Sequence, residues 1–168
     1  VAIGRTVVSS TRIRSGLAKG DVEAACQMLG RPFSIKGKII KGESRGKTLG
    51  YPTVNLDVSY RIALPKRGVY ATCVGVKGRT FNAVTNIGTR PTFSGETVSV
   101  EAHILGFEGS LYGETLRIFF AKRLRDEIKF ASGEALAHQI SRDIERAKDV
   151  LDHWNAFAKA SVVSEDAS

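Results

Sequence analysis

The sequence is poor in the residues that form covalent or metal cross-links. Its 168 residues include two cysteines, three histidines, one methionine and one tryptophan. Cys26 and Cys73 lie far apart and fit no metal-ligand spacing, and His103, His138 and His153 are equally scattered. These absences exclude a disulfide framework and a zinc site. They favour a reducing compartment, so we expect a cytoplasmic protein.

Long apolar runs and acidic residues are also scarce. No apolar run approaches the ~20 residues of a membrane span, and we expect neither a signal peptide nor a membrane partner. The 25 lysines and arginines outnumber the 17 acidic residues, which gives a formal net charge of +8. This charge favours polyanionic partners such as nucleotides, nucleic acid or acidic surfaces, and does not choose among them.

Glycine, by contrast, is concentrated where the chain is most informative. Within Lys41–Asn55, glycines recur at Gly42, Gly46 and Gly50, with a cation at Lys47. Glycines let main-chain N–H groups approach an anion closely, and a lysine adds a point charge. The segment is therefore predicted to be a phosphate-binding loop.

The best-known phosphate-binding loop, the Walker A motif, does not fit this segment. That motif has four residues between its first glycine and Gly-Lys-Ser/Thr, whereas only three separate Gly42 from Gly46-Lys47-Thr48. A Walker A loop also opens a helix. Here Tyr51 precedes Pro52 and is pushed away from helical dihedrals, so both spacing and context argue against the motif.

Two oxygen-bearing side chains follow the glycine-rich segment. If Val54 lies in a strand, Thr53 and Asn55 project to the same face. A hydroxyl and an amide carbonyl are hard oxygen ligands, and Mg²⁺ is commonly shared between one or two such groups and nucleotide phosphates. The alternative is a surface turn that leads into an ordinary strand. The motif by itself leaves both interpretations open.

Most of the remaining chain alternates like β-structure. Five or six short strands separated by glycines indicate an antiparallel barrel or sandwich, with runs near 33–40, 68–76, 79–86, 97–104 and 115–122. Two helices are predicted. One runs from an N-cap at Asp21 to a stop at Gly30, and the other from Ser132 through about 133–153, with an apolar stripe that packs on the barrel.

One carboxylate is a candidate general base. Glu101 lies on the polar face of a strand whose other face is apolar, and Ser99 and His103 flank it on that face. A carboxylate within hydrogen-bond reach accepts the proton of a hydroxyl as phosphoryl transfer proceeds. A solvated surface glutamate is the alternative. His103 is a second, weaker candidate for the base.

Several of these segments resemble those of riboflavin kinases. Gly42–Asn55 resembles the flap loop and Pro-Thr-x-Asn motif of that family, with Val54 where alanine is usual. Together the similar segments span about Arg31 to Trp154. The others are Asn86–Phe93, which resembles the loop joining the middle strands, Val100–Leu105 around the catalytic glutamate, Leu111–Glu114 near the nucleotide, and Leu124–Phe130, which closes over the flavin.

The resemblance implies a mainly β fold, a six-stranded antiparallel barrel of Greek-key type with a long C-terminal helix and a short N-terminal helical remnant. It implies Mg²⁺-dependent transfer of phosphate from ATP to the ribityl 5′-hydroxyl of riboflavin, giving FMN and ADP. The implied residues are Glu101 for catalysis, Gly42, Gly46, Lys47, Thr53, Asn55 and Tyr112 for ATP, Thr53 and Asn55 for the metal, and Arg125, Asp126, Ile128 and Phe130 for the flavin.

The N-terminal segment resembles part of a different module. Ser9-Ser10-Thr11-x-x-Arg14 is similar to the last nucleotide-binding signature of the adenylyltransferase module in bacterial bifunctional FAD synthetases. This implies an adenylyltransferase module in cis in a longer protein. The chain has no His-x-x-His or His-x-Gly-His pair, so we expect no adenylyl transfer from it. We expect a remnant at 1–30, a kinase domain at 31–160, a flexible tail at 161–168, and a monomer.

Two other functions fit a basic β-barrel. A single-strand nucleic-acid binder combines cations with exposed aromatic residues on one strand face. Here Phe119 and Phe120 project to opposite faces of one strand and form no such platform, so we expect no nucleic-acid partner. A flavin carrier without catalysis is the other alternative, and it would bind FMN without consuming ATP.

Overall fold

The computed structural model describes residues 2–3, 6–7, 9–42, 45–59, 61–154 and 162. A small two-stranded sheet comprises β1 (Ala2–Ile3) and β2 (Thr6–Val7). The larger sheet comprises β3 (Ser34–Ile40), β4 (Val54–Asp57), β5 (Gly68–Val76), β6 (Arg79–Thr92), β7 (Gly95–Ile104) and β8 (Thr115–Arg125). The helices are α1 (Ser10–Lys19), α2 (Val22–Leu29), α3 (Arg45–Thr48) and α4 (Gly133–Asp152).

The larger sheet is a closed barrel with the strand order β3-β4-β7-β6-β5-β8. All of its pairs are antiparallel, and the first and last strands pair with each other. The predicted six-stranded antiparallel barrel is confirmed. The strand β6 is longer than the alternation indicated, because the segment predicted to be a loop at 86–93 continues the pairing with β7 as far as Thr92.

Apolar side chains fill the barrel and cover one outer side. The interior cluster takes alternate residues from every strand, such as Ile39, Leu56 and Val100. A second cluster lies outside, where Phe119 of β8 and neighbouring residues of β5 meet Leu151 and other residues of α4. Only the part of the outer surface away from α4 is therefore left for polar side chains.

The helix α4 begins and lies as the sequence predicted. Ser132 is its N-cap, and the Ser132 hydroxyl accepts a hydrogen bond of 3.1 Å from the Ala135 N–H. Ile144, Ala147 and Leu151 are buried against the barrel at helical spacing. None of the helices in the described ranges is long and apolar enough to span a membrane.

The helices α1 and α2 pack against the barrel core. The predicted N-cap is confirmed, since the Asp21 carboxylate accepts a 2.9 Å hydrogen bond from the Ala24 N–H. Leu17, Val22 and Ala25 are buried within the same apolar cluster as the barrel interior. The segment predicted to be a remnant of another module thus contributes to this core. Of the predicted tail at 161–168, only Val162 lies within the described residues, and it is buried on the outer cluster.

Candidate active site

The predicted metal-binding pair lies at the mouth of a cavity. The Pro52–Val54 segment leads into β4, and Thr53 and Asn55 both line a cavity of about 380 Å³. Asn55 is only 7% exposed, so its amide is held in place by packing. Among the residues that the structure describes, the lining includes Lys41 and Lys47 and no aspartate or glutamate. A basic cavity with fixed oxygen atoms suits a polyphosphate and a divalent cation.

Strand register places the predicted base beside this pair. Asn55 of β4 lies directly opposite Glu101 of β7, and Glu101 lies directly opposite Asn86 of β6. Directly opposed residues of an antiparallel pair share a face, with their Cβ atoms about 5 Å apart. Asn55, Glu101 and Asn86 therefore form a polar row across three strands, on the outer face of the barrel.

Glycine at position 42 is required by the packing of Asn55. A Cβ added at Gly42 would lie 1.9 Å from Asn55 Nδ2 and 2.2 Å from its Cγ. No side chain fits in that space, so only glycine lets the chain after β3 pass so close to the amide. Gly42 thus shapes the cavity wall through Asn55.

The described part of the flap loop contains a single helical turn, α3. Gly46 and Lys47 lie in α3, and Lys47 lines the cavity with an exposed side chain. Residues 43 and 44 of the predicted loop lie outside the described residues. The turn ends at Thr48, and a strand follows rather than a long helix, which agrees with the exclusion of a Walker A loop.

Another part of the cavity lining comes from the segment between β7 and β8. Phe107, Leu111 and Tyr112 belong to it, and Tyr112 is 69% exposed. This part is apolar and aromatic, whereas the Lys41–Gly42 side is basic. The cavity thus offers one surface suited to a base and another suited to phosphates.

His103, the weaker candidate for the base, contacts the segment that leads into β4. Its Nδ1 lies 2.8 Å from the Pro52 carbonyl oxygen, and its ring meets the Tyr51 ring edge-on at 5.7 Å between centroids. His103 thereby anchors the segment that leads to Thr53.

The predicted flavin residues lie at the other end of the polar row. Arg125 ends β8, and its guanidinium forms hydrogen bonds of 2.8–3.0 Å with the buried carboxylate of Asp143 in α4. The same guanidinium carbon lies 5.8 Å from the centroid of the Phe130 ring. Arg125 therefore links the final strand, the following loop and α4.

Asp126 and Ile128 occupy the loop beyond β8. Asp126 accepts a 2.7 Å hydrogen bond from Arg123 Nη2, which holds the pKa of the Asp126 carboxyl below its usual value. Ile128 is an exposed large apolar side chain, with 51% of its surface accessible. The Glu127 side chain lies against β6 at Gly88. A Cβ added at Gly88 would be 2.3 Å from Glu127 Oε1.

The structure thus brings most of the predicted residues into two adjoining groups. The first group lines the cavity, and the second forms the loop after β8. The polar row of Asn55, Glu101 and Asn86 connects these two groups. Asn55 lines the cavity, and Asn86 approaches Gly88 from one side while Glu127 of the loop approaches it from another, since a Cβ added at Gly88 would lie 3.1 Å from Asn86 Nδ2. Asn86 and Glu127 were not predicted as site residues, because their proximity depends on the β6–β7 register.

A conventional metal centre is absent from the described part of the chain. There, no three His, Cys, Asp or Glu residues cluster to hold a metal ion. The hydroxyl of Thr53 and the amide of Asn55 are instead the kind of oxygen donors that share Mg²⁺ with a nucleotide. These residues therefore fit a nucleotide-dependent metal rather than a permanently held one.

Comparison with known proteins agrees with this geometry. A family model for riboflavin kinase (flavokinase) matches residues 29–151. The chain belongs to the riboflavin kinase family. This membership confirms the predicted riboflavin kinase module and its class of activity, phosphorylation of riboflavin to FMN.

The names of curated relatives include a second activity, FMN adenylyltransferase. The bifunctional riboflavin kinase/FMN adenylyltransferase of Haemophilus influenzae is 42% identical over 142 residues, which cover 84% of this chain and 46% of that protein. The Bacillus subtilis protein of the same name is 41% identical, over 83% of this chain and 45% of its own length. The chain thus spans about half the length of these relatives.

Solved structures share the fold. A chain described as a macrolide-efflux protein from Streptococcus pneumoniae superposes with a TM-score of 0.84 at 35% identity, over 92% of this chain and 50% of its own. The riboflavin kinase of Trypanosoma brucei superposes with a TM-score of 0.52 at 22% identity, over 73% and 81%. The second similarity supports the barrel architecture alone.

Proposed function

We propose that this chain transfers the γ-phosphoryl group of ATP to the ribityl 5′-hydroxyl of riboflavin, using Glu101 as the general base. The observation that carries this proposal is the register that sets Asn55 beside Glu101. Asn55 lines the basic cavity, and Glu101 faces the loop after β8 across Asn86. A nucleotide and a flavin bound on either side would meet at Glu101.

The cavity is assigned to ATP. Gly42, Gly46 and Lys47 hold the phosphate chain, and Tyr112 contacts the nucleotide. Thr53 and Asn55 would hold Mg²⁺ together with phosphate oxygens. When bound, the ion neutralises charge on the triphosphate. The flap over the cavity excludes water from the transferred group.

The loop after β8 is assigned to the flavin. Ile128 and Phe130 cover the apolar face of the isoalloxazine, Asp126 begins the loop, and Arg125 places Phe130 while facing the flavin edge or the product phosphate. These assignments extend the contacts seen between Arg125, Asp143 and Phe130.

The chemical step requires little covalent work from the protein. Glu101 orients the ribityl hydroxyl and accepts its proton as the oxygen attacks the γ-phosphorus. The new O–P bond forms while the bond to the β–γ bridging oxygen breaks, and ADP leaves with that oxygen. Placement and charge stabilisation supply most of the rate enhancement in phosphoryl transfer.

The test is direct. The chain is incubated with riboflavin, ATP and Mg²⁺, and the flavins are separated by chromatography. We expect FMN and ADP in equal amounts, and no FMN when EDTA removes the metal. Riboflavin that binds without any ATP consumption would identify a flavin carrier instead.

The wider activity belongs to the longer proteins. We propose that FMN made here serves adenylyl transfer by an adenylyltransferase module in cis, as the names of the relatives suggest. The same incubation with excess ATP should yield no FAD from this chain. We further propose a cytoplasmic monomer that acts on small molecules, without nucleic-acid or membrane partners.

A further inference from the structure

Arg123, near the end of β8, holds the start of the loop at 126–130, which was assigned to the flavin above and is called the flavin loop here. Its Nη2 donates hydrogen bonds to the Arg67 carbonyl oxygen at 2.6 Å and to Asp126 Oδ1 at 2.7 Å. Lys66 Nζ lies 3.6 Å from the same Asp126 oxygen. The Arg123 side chain is only 19% exposed. The first residue of the loop is therefore fixed to the barrel by a nearly buried guanidinium.

The same arginine is held from its other side by α1. A Cβ added at Gly20, the residue that ends α1, would lie 2.4 Å from Arg123 Cδ and 2.7 Å from its Nε. The Lys66 N–H also donates a 2.8 Å hydrogen bond to the Leu17 carbonyl oxygen. The helix α1 and its C-cap thus contact both cationic residues that hold Asp126.

The Nε atom of Arg123 shows that packing fixes this side chain. It is buried and has no hydrogen-bond partner among the residues that the structure describes. An unpaired buried donor is unfavourable. The guanidinium nonetheless keeps this position, where it reaches Asp126 and the Arg67 carbonyl and lies 5.9 Å from the centroid of the Tyr70 ring.

We propose that Arg123 is a positioning residue for riboflavin, which couples the α1–α2 pair to the flavin loop through Asp126. The inference rests on the proposed function, since the loop at 126–130 is assigned to the flavin there. Holding the first residue of a short irregular loop reduces the freedom that the loop loses when Ile128 and Phe130 close on a ligand. Packing of the helix pair thereby sets the affinity for flavin.

Two glycines allow a matched test of this coupling. Gly20 and Gly30 both end helices with left-handed φ angles, of 81° and 69°. An added Cβ at Gly30 meets nothing within 4 Å, whereas at Gly20 it meets Arg123. Gly20→Ala and Gly30→Ala therefore share the backbone strain, and only the first displaces the arginine.

We expect Gly20→Ala to raise the KM for riboflavin about tenfold relative to Gly30→Ala, while the KM for ATP changes less than twofold. Hydrogen exchange of the 126–131 segment, followed by mass spectrometry, should be faster in Gly20→Ala than in Gly30→Ala. A merely structural role would shift both KM values and the thermal midpoint together. Equal riboflavin KM values in the two variants would overturn the proposal.

A double-mutant cycle tests the route through Asp126. Arg123→Met should raise the riboflavin KM, and Arg123→Lys, which keeps one charged donor, should recover part of the loss. In an Asp126→Asn background, adding Arg123→Met should raise the riboflavin KM by a further factor of less than two. A full additional effect in that background means that Arg123 does not act through Asp126, and overturns the proposal.

The failure of this inference is distinguishable from failure of the proposed function. A wild-type chain that forms no FMN overturns the proposed function. The exchange experiment needs no turnover, so it still compares the two glycine variants. Loop exchange that is identical in Gly20→Ala and Gly30→Ala overturns the coupling, whatever the activity.

Discussion

The general-base role proposed for Glu101 depends on its two neighbours across the sheet. Asn55 on one side lines the cavity proposed to bind ATP, and Asn86 on the other side approaches the loop after β8. A strand holds the Glu101 side chain in one direction more rigidly than a loop would. The carboxylate is therefore oriented before either substrate binds, which is what a general base requires.

Replacing this carboxylate should affect turnover more than binding. We expect Glu101→Gln, which keeps the size and hydrogen-bonding reach, to lower kcat by ~10²–10⁴ and to change both KM values only a few-fold. Steady-state FMN formation measures these constants. Glu96→Gln, at an exposed position of the same strand, is the control and should match wild type. A kcat for Glu101→Gln within threefold of wild type would remove Glu101 from this role.

Gly42 offers a second test of single side chains. Gly42→Ala should displace the Asn55 amide and raise the KM for ATP by about tenfold or more, because the added methyl occupies the place of that amide. The control is Gly16→Ala in α1, where an added Cβ makes only ordinary contacts of 3.6–3.7 Å. We expect Gly16→Ala to be active and stabilised by roughly 0.5–1 kcal/mol. Unchanged ATP kinetics in Gly42→Ala would show that Asn55 does not hold the nucleotide.

Some of these residues could be identified from the sequence and others could not. Thr53, Asn55 and Glu101 follow from the alternation of side chains in a strand, which is a local property. Asn86 and Glu127 come near them only through the β6–β7 register and the close approach of both side chains to Gly88. Such proximity is a property of the folded sheet, so no local pattern reveals it.

Among the secondary-structure elements, α4 packs on the barrel and is also linked to the loop after β8. Asp143 of α4 is 1% exposed, and its carboxylate accepts hydrogen bonds from both Arg125 and Gln139. A buried ion pair adds little net stability, but removing one partner leaves an uncompensated charge. The strand end, the loop and the helix are therefore held together at this pair.

Variants of this pair distinguish its contribution to the free energy of unfolding from its contribution to riboflavin binding. We expect Asp143→Leu to lower the free energy of unfolding by about 3 kcal/mol, and the double variant Arg125→Met/Asp143→Leu to recover most of it. Urea unfolding measures both. If Arg125 also binds the flavin, the recovered double variant stays weak in riboflavin affinity. Glu145→Gln, in an exposed pair of α4, should change the free energy of unfolding by less than about 1 kcal/mol.

If Asp143→Leu unfolds at the same urea concentration as wild type, the pair does not hold α4 to the barrel. If the double variant recovers riboflavin affinity together with stability, Arg125 acts on the flavin only by supporting the loop. The two measurements thus assign Arg125 either to the ligand or to the scaffold.

The elements differ in how well the sequence predicted them. The apolar stripe of α4 and the caps at Ser132 and Asp21 made two helices predictable. The helix α1 was not predicted, because only Leu17 of its residues is buried and no stripe marks it. The strand β6 extends beyond its predicted end because pairing with β7 outweighs the local turn signals around Gly88 and Pro91.

For the molecule as a whole, the barrel depends on a segment outside the predicted kinase domain. Leu17 and Val22 are buried in the barrel's own cluster, although the resemblance assigned them to another module. Fully burying a side chain of this size contributes about 1.5–3 kcal/mol. The stability of the kinase is therefore not contained in residues 31–160.

A truncation tests this dependence. A chain that begins at Arg31 should lose roughly 3–6 kcal/mol of unfolding free energy relative to one that begins at Ser9 and keeps α1 and α2. Thermal and urea unfolding of the two chains gives the difference. Equal midpoints would show that the helix pair is dispensable for the barrel.

The pairing of β3 with β8 has a consequence for synthesis. Because β8 pairs with both β3 and β5, the ring of strands cannot be completed until β8 has emerged from the ribosome. Until then, the nascent polypeptide presents unpaired strand edges and uncovered apolar faces to the cell. Pairing between such distant segments is slow. We therefore expect chaperones to bind this protein chiefly during translation. We expect the barrel to fold cooperatively once β3 can pair with β8.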